Sequence, residues 1–393
     1  MSRRGGLDAV VIGAGVVGAA TALALAEAGL RVAIVEAHEP APWRAEAPDL
    51  RVYAFAPDAS ALLEQLHVWP AVRAARAQAY RRMRVWDAAG GSELRFDADA
   101  LGRDSLGHIV EHGLLVDRLW QRVRGDARIE IFCPDKLSAL KQDDEGVKVE
   151  LQSGSRLQAK FVFGADGAVS RVRDLLGIES DAHDYGQRGV VAYVRTAMPH
   201  EDTAWQRFLP SGPLAFLPCA DGRSSIVWTL PTAEAERVLA LDDAAFCREL
   251  TRAFDARLGD VLEVSSRAAF PLRRQLAKAM LVGCVALVGD AAHAVHPLAG
   301  QGVNLGLRDV AALRTSVEEA TRRGLDPFSA HRMQRWARER YSENAMAAYG
   351  FEAINRVFSN DALLPTLLRG HVLGLAGRLP PLTHLLWKRA AGL

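Results

Sequence analysis

Hydrophobic and polar positions divide the chain into recognisable elements. It opens on a nearly continuous apolar run at residues 8–12, DAVVI, which reads as a buried strand. The turn Gly13-Ala14-Gly15-Val16-Val17-Gly18 follows, then a helical pattern to about residue 28, a break at Gly29 and a second strand at 31–35 ending in Glu36. Further along, the pattern predicts a helix over 60–66, a hairpin over 83–96 folded about a Gly-Gly pair, and a helix over 114–123. Strands are expected at 129–132, 146–151 and 160–163. From 189 to about 271 the texture changes. Short β-type segments at 190–195, 205–209, 214–217 and 224–230 are separated by turn residues, and one helix is expected at 242–255. The run Val285-Ala286-Leu287-Val288 returns to the buried-strand pattern, tipped by Gly289 and Asp290. A helical stretch then runs from Val303, past a break at 324–327, to Phe358.

This order predicts an α/β fold with a Rossmann-like dinucleotide-binding domain at 1–75, 100–183 and 280–345. A β-rich substrate domain at 76–99 and 184–279 interrupts it, and a helical C-terminal segment covers 346–393. A length of 393 residues agrees with more than one core. Hydrophobic residues at 49%, charged residues at 24% and a net charge of +1 carry no signal for polyanions, which argues against nucleic acid. The four cysteines, Cys133, Cys219, Cys247 and Cys284, are widely separated and form no CxxC, so reduced thiols in a cytoplasmic protein are expected and a metal site is not. Met1-Ser2-Arg3-Arg4 leads into a strand with no apolar leader, and no run approaches the roughly 20 apolar residues of a membrane span.

Candidate chemistry gathers at the strand ends. A GxGxxG between strand and helix, with Glu36 at the end of the next strand, suits the pyrophosphate and ribose of an adenine dinucleotide, FAD and NAD alike. Arg51 is either a solvated loop cation or a cation beside the dinucleotide phosphates or flavin. Asp166, in GADGAVSRVR, ends an apolar strand and either faces the same crevice or shapes a turn. The stretch from Asp290 through Pro297 to Gly300, Gln301 and Gly302 joins an acidic tip, a Pro turn and a Gly-rich helix start. That order suits an extended polar ligand, because glycines admit backbone N–H groups and a helix N-terminus favours negative charge. An ordinary strand–loop–helix junction is the plainer reading. His293 and His296 are acid–base candidates or structural hydrogen-bonders. The tail 362–393 has no Asp or Glu and mixes leucines with Arg369, Arg378, Lys388 and Arg389. It reads as a helical cap or as a basic amphipathic surface toward a membrane or accessory protein.

Taken together, GAGVVG, GADGAVSRVR and GDAAHAVHPLAGQGVNLGLRD resemble the class A flavin-dependent aromatic hydroxylases of the p-hydroxybenzoate hydroxylase fold. The late motif is similar to that of the ubiquinone-biosynthesis hydroxylases, as are LLEQL at 62–66, MRVWD at 83–87, LGHIVE at 106–111 and WQRFLP at 205–210. Two departures stand out: His67 where the subfamily has Gly, and His112 where it has Asn near the adenosine end of FAD. The resemblance implies that Gly13, Gly15 and Gly18 line the pyrophosphate, Glu36 takes the adenosine ribose and Arg51 lies near the flavin. It implies a role for Asp166 toward both FAD and NAD(P)H, and the ribityl chain for Asp290. Pro297 to Gly302, Gly300 and Gln301 among them, would wall the reacting edge next to the catalytic candidate His296, with Gly302, Val303 and Asn304 opening a helix whose dipole favours anionic reduced flavin.

The implied activity is hydroxylation of a polyprenylated phenol in ubiquinone biosynthesis. FAD is the cofactor, NAD(P)H the reductant and O₂ the oxygen source, through a flavin C4a-hydroperoxide. No Tyr or Arg constellation for a substrate carboxylate is evident, which fits a decarboxylated, lipid-tailed ring. Contact of 362–393 with the inner membrane face or a quinone-biosynthesis complex is a further expectation. A hydroxylase of a small soluble aromatic and a non-catalytic prenyl-lipid escort are the alternatives; the Trp- and Lys-containing motif of a halogenase is not seen.

Overall fold

The computed structural model describes residues 6–88, 90, 93–295 and 302–358, with 351–358 as helix backbone. Its organising element is an eight-stranded sheet. Along its main path lie Leu281–Val282, Val285–Leu287, Arg156–Gly164, Leu7–Ile12, Val32–Val35 and Ile129–Phe132. The last five of these run parallel, and the register sets Ile12 beside both Val35 and Gly164, and Gly164 beside Leu287. Such strands are covered on both faces, so they read as continuous apolar runs: Ala9, Val10, Val11, Val32, Ala33 and Ile34 are fully buried. The helix Val16–Glu27 crosses one face. Its many alanines, buried from Ala19 to Ala26, allow close approach, and the late helix Gly302–Arg322 packs beside it. Strands Leu137–Asp143 and Gly146–Leu151 extend the sheet antiparallel.

A nine-stranded sheet forms the β-rich part, with Ser180–Thr196 as its longest strand. Only 190–195 of that strand is expected from the pattern. Its first half, SDAHDYGQR, lacks apolar alternation yet pairs with Ala268–Ala277 across a register shift between Asp184 and Arg188. The hairpin forms as expected, from Arg82–Asp87 and Leu94–Asp97. The helix expected at 242–255 forms as Asp243–Ala253, capped by Asp242, which accepts from the Ala245 N–H at 2.7 Å. A further helix, Thr232–Leu239, precedes it where the pattern predicts none.

A three-stranded sheet of Val52–Phe55, Gly107–Glu111 and Ala77–Tyr80 lies between the two larger ones and is not foreseen by the pattern. Its strands are too short for their period to show. Alternation along Val52–Phe55 turns Phe55 into the main core and Val52 and Ala54 toward the nine-stranded sheet. There they meet Ile109, Ala215, Leu217 and Val227, giving an apolar layer between the two sheets.

His67 follows the helix Pro57–Gln65 with φ at 58°, the left-handed conformation that a glycine adopts without strain. We therefore expect His67→Gly to raise unfolding stability by about 0.5–1 kcal/mol in chemical denaturation. A destabilised variant would contradict this reading of the turn.

Candidate cofactor and substrate site

Parallel register brings Gly13, Glu36, Asp166 and Asp290 to one edge of the main sheet, just beyond the carboxyl ends of adjacent strands. In open α/β sheets this edge is where ligands bind. The three motif glycines there are required for different reasons. Gly13 has φ at 102°, and a Cβ on it would fall 2.5 Å from the Ala165 carbonyl oxygen. On Gly18 a Cβ would lie 1.9 Å from the Gly13 oxygen. Gly15 meets nothing within 4 Å and has φ at −64°, so neither packing nor backbone strain explains it. What its missing side chain leaves is room for a ligand to approach the backbone. The helix beginning at Val16 has no side-chain cap and no acidic residue in its first turn, so its N-terminal amides suit a pyrophosphate. Glu36 holds this turn: its Oε2 accepts from the Ala14 N–H at 2.6 Å, and its Oε1 from the His38 N–H at 3.1 Å.

The middle motif acts as a brace. Asp166 accepts from the Ser170 hydroxyl at 2.5 Å and the Val172 N–H at 3.0 Å, so both carboxylate oxygens shape the start of the short helix Arg171–Leu175. Arg173, buried, donates to the carbonyls of Ala168 at 2.9 Å and Ala291 at 3.2 Å. It thereby ties the middle motif to the strap that carries Asp290.

At that strap, Asp290 and Arg51 come within electrostatic reach of each other, together with Tyr53 and His112. Asp290 is exposed by area, but its crevice is crowded with protein atoms. Desolvation there raises its carboxyl pKa, opposed by His293 and Arg51. The Tyr53 hydroxyl lies 2.8 Å from His112 Nδ1; burial pushes the phenol up to about 12, Arg51 working against the shift and Asp290 with it. Burial, and then Arg51, lower the His112 pKa. The Arg51 guanidinium lies 5.3 Å from the centre of the Phe270 ring. His112 therefore groups with Arg51 and Tyr53.

Asn304, 2% exposed, spends its amide on the strand Val52–Phe55 and its end: Nδ2 donates to the Ala54 carbonyl at 2.8 Å and Oδ1 accepts from the Ala56 N–H at 3.1 Å. Val303 packs into the main core. Gly302 opens the helix in a roomy position, where a Cβ would come no nearer to any described neighbour than 3.9 Å, the distance to Val295 Cγ2. His296, Pro297, Gly300 and Gln301 lie outside the described residues.

His293 proves to be a structural hydrogen-bonder. It is 1% exposed, with Nε2 2.6 Å from Asp309 Oδ2. The same oxygen accepts from the Gly289 N–H at 3.2 Å, while Oδ1 accepts from Arg340 Nε at 2.9 Å and Asn344 Nδ2 at 3.0 Å. Pattern alone passes over this hub. The available signal is an acid, Asp309, placed on the apolar face of a helix next to Val310. Burial acts to raise the Asp309 pKa, but His293, Arg340 and Asn344 overcome it and hold the carboxyl at about 2. Among the described residues no group of three or more His, Cys, Asp or Glu side chains is placed to hold a metal ion. The open space at Gly15, the uncapped helix, and the Glu36 and Asp290 carboxylates fit FAD.

The FAD binding domain family matches residues 6–339. The 3-demethoxyubiquinol 3-hydroxylase of Escherichia coli K12 is 38% identical, over 94% of this chain and 93% of its own. Ubiquinone hydroxylase UbiL of Rhodospirillum rubrum is 36% identical, over 98% and 89%. Among solved structures, p-nitrophenol 4-monooxygenase PnpA of Pseudomonas putida superposes with a TM-score of 0.80 at 21% identity, covering 98% of each chain, a likeness of fold. The chain belongs to the FAD-dependent aromatic hydroxylases, in their ubiquinone-biosynthesis family. It is a flavoprotein monooxygenase with FAD as cofactor.

Gly15→Leu is expected to fold normally by circular dichroism yet lose FAD affinity roughly tenfold or more, about 1.4 kcal/mol, in a flavin fluorescence titration. Gly18→Leu should instead lower the melting temperature of the apoprotein, because its clash is with backbone. As Asp309 titrates below the ordinary carboxylate value, its contribution to stability is complete above about pH 4 and is lost as pH falls toward 2. Asp309→Asn should cost about 3 kcal/mol at neutral pH by leaving buried cations unpaired, and should flatten the loss of stability between about pH 4 and pH 2. Parallel pH curves for variant and wild type would contradict this assignment.

Proposed function

We propose that the enzyme hydroxylates the aromatic ring of a polyprenylated phenol on the route to ubiquinone, with NAD(P)H as reductant and O₂ as the oxygen source. One observation carries the ring assignment: the apolar layer of Val52, Ala54, Ile109, Ala215, Leu217 and Val227 is built partly on the strand that Asn304 ties to the late helix. An electron-rich ring with an apolar tail suits this layer, and the relatives' names support a ubiquinone precursor. The division into a cofactor-binding domain, a β-rich substrate domain and a helical C-terminal segment is part of the proposal, with the ring held between the first two.

When bound, FAD supplies the redox chemistry, accepting electrons from NAD(P)H and activating O₂. The chain's residues do the rest. Amides of the Gly13–Gly18 turn bind the pyrophosphate, Glu36 the ribose, and Asp290 the ribityl hydroxyls. Arg51 and the N-terminus of Gly302–Arg322 favour negative charge at the ring system. The apolar layer excludes water and orients the substrate ring. Pro297, Gly300 and Gln301 would form the wall beside the reacting edge, with His296 as a catalytic candidate next to it, and 362–393 a surface for a membrane or partner protein. Among the described residues no helix is long and apolar enough to cross a membrane.

Protein loaded with FAD and given NADPH should consume O₂ and convert 2-geranylphenol to a product one oxygen heavier, read by mass spectrometry. NADPH oxidation that yields only hydrogen peroxide would contradict the substrate assignment. Removing the chain after residue 362 should impair turnover of a long-tailed phenol more than that of phenol itself.

A further inference from the structure

The loop that carries Arg51 is held from two sheets at once, and Asp49 is where the bonds meet. Its N–H donates to Glu111 Oε2 at 3.2 Å, and its carbonyl accepts from the Tyr193 hydroxyl at 2.7 Å. In the side chain, Oδ1 accepts from the Arg51 N–H at 2.9 Å and Oδ2 from the Gly113 N–H at 3.1 Å. Every polar function of this half-buried residue is therefore engaged, each by a different partner. Glu111 ends a strand of the three-stranded sheet, Gly113 lies in the first turn of the helix His112–Arg124, and Tyr193 belongs to the nine-stranded sheet. The anchors are themselves firm. Glu111, its side chain 6% exposed, also accepts from Trp43 Nε1 and Arg76 Nη1, both at 3.0 Å. Tyr193 is buried.

The bond from the Arg51 N–H to the carboxylate two residues earlier closes a side-chain turn, which sets the direction in which Arg51 leaves the backbone. The Arg51 carbonyl is pinned as well, accepting from the His112 N–H at 2.9 Å. Its side chain is not. Arg51 is exposed, forms no ion pair with a described carboxylate, and rests its guanidinium over the Phe270 ring of the nine-stranded sheet. Its charge nevertheless acts on Asp290, Tyr53 and His112. A fixed backbone thus presents an uncommitted cation at the cofactor crevice, where an anion can use it without first breaking another bond.

We propose that Asp49 is a positioning residue: its carboxylate fixes the turn that presents Arg51 to the anionic groups of FAD, and Tyr193 ties that turn to the substrate sheet. This rests on the placement of Arg51 at the cofactor. Asp49 also brings a negative charge toward an anionic ligand, which by itself opposes binding. Charge and positioning therefore change FAD affinity in opposite directions when Asp49 is removed, and the sign separates them.

FAD is titrated into the full-length apoprotein and followed by flavin fluorescence, with the folding of each variant checked by circular dichroism. Asp49→Ala should weaken binding about tenfold, whereas loss of the charge alone would strengthen it. Asp49→Asn keeps an acceptor for the Arg51 N–H and should recover most of that loss. Tyr193→Phe changes no charge and should weaken binding about threefold. In an Arg51→Met background, either Asp49→Ala or Tyr193→Phe should weaken binding further by less than about twofold, because no guanidinium is left to place. If Asp49→Ala does not fold, Tyr193→Phe with and without Arg51→Met carries the comparison. Unchanged or tighter FAD binding by folded Asp49→Ala, or losses that simply add to that of Arg51→Met, would overturn the proposal while leaving Arg51 at the cofactor. Unchanged binding by Arg51→Met would overturn both.

Discussion

The parallel register of the main sheet is the constraint on which the site depends. Ile12 pairs with Val35 and Gly164, and Gly164 with Leu287. Segments from the start, middle and end of the chain therefore finish at one edge, and each places its glycine or acid within a few residues of its strand's end. A slip of one residue in any pair would invert the side chains of that strand and move its tip out of line. The burial of Val10, Val11, Ala33, Ile34 and Phe163 on both faces makes such a slip costly, so the cofactor crevice inherits its geometry from the core.

Polar groups hold the crevice's loops to that core. Asp309 joins the Gly289–His293 strap to Arg340 and Asn344 on the helix Ala330–Phe358, and Arg173 joins the middle motif to Ala291. Asn304 joins the late helix to the strand that backs the apolar layer. These bonds are buried and largely saturated, which makes them strong as a set and sensitive to the loss of any member. The side chains foreseen at the cofactor divide accordingly. Gly15, Glu36, Arg51 and Asp290 border the crevice, whereas Asp166, Val303 and Asn304 maintain its shape.

Much of this is legible from pattern alone. Strands buried on both faces announce themselves as unbroken apolar runs, and the glycine turn between strand and helix has few other uses. The three-stranded sheet is not legible because Ala77–Tyr80 and Val52–Phe55 are too short to show a period. The polar half of Ser180–Thr196 owes its extended form to pairing with Ala268–Ala277, a long-range contact that no local window contains. Glu111 looks like the end of an apolar strand; only the approach of Arg76, Trp43 and Asp49 gives it a role. His293 is ambiguous in sequence for the same reason, since its partner Asp309 lies beyond the intervening loop.

The most direct measurement is an experimental structure of the FAD-loaded protein. One FAD is expected, its pyrophosphate at the Gly13–Gly18 turn, its ribityl chain at Asp290, and its ring system between the N-terminus of Gly302–Arg322 and the apolar layer around Ala54 and Leu217. A flavin ring bound away from that layer, or a pyrophosphate away from Gly15, would contradict this placement.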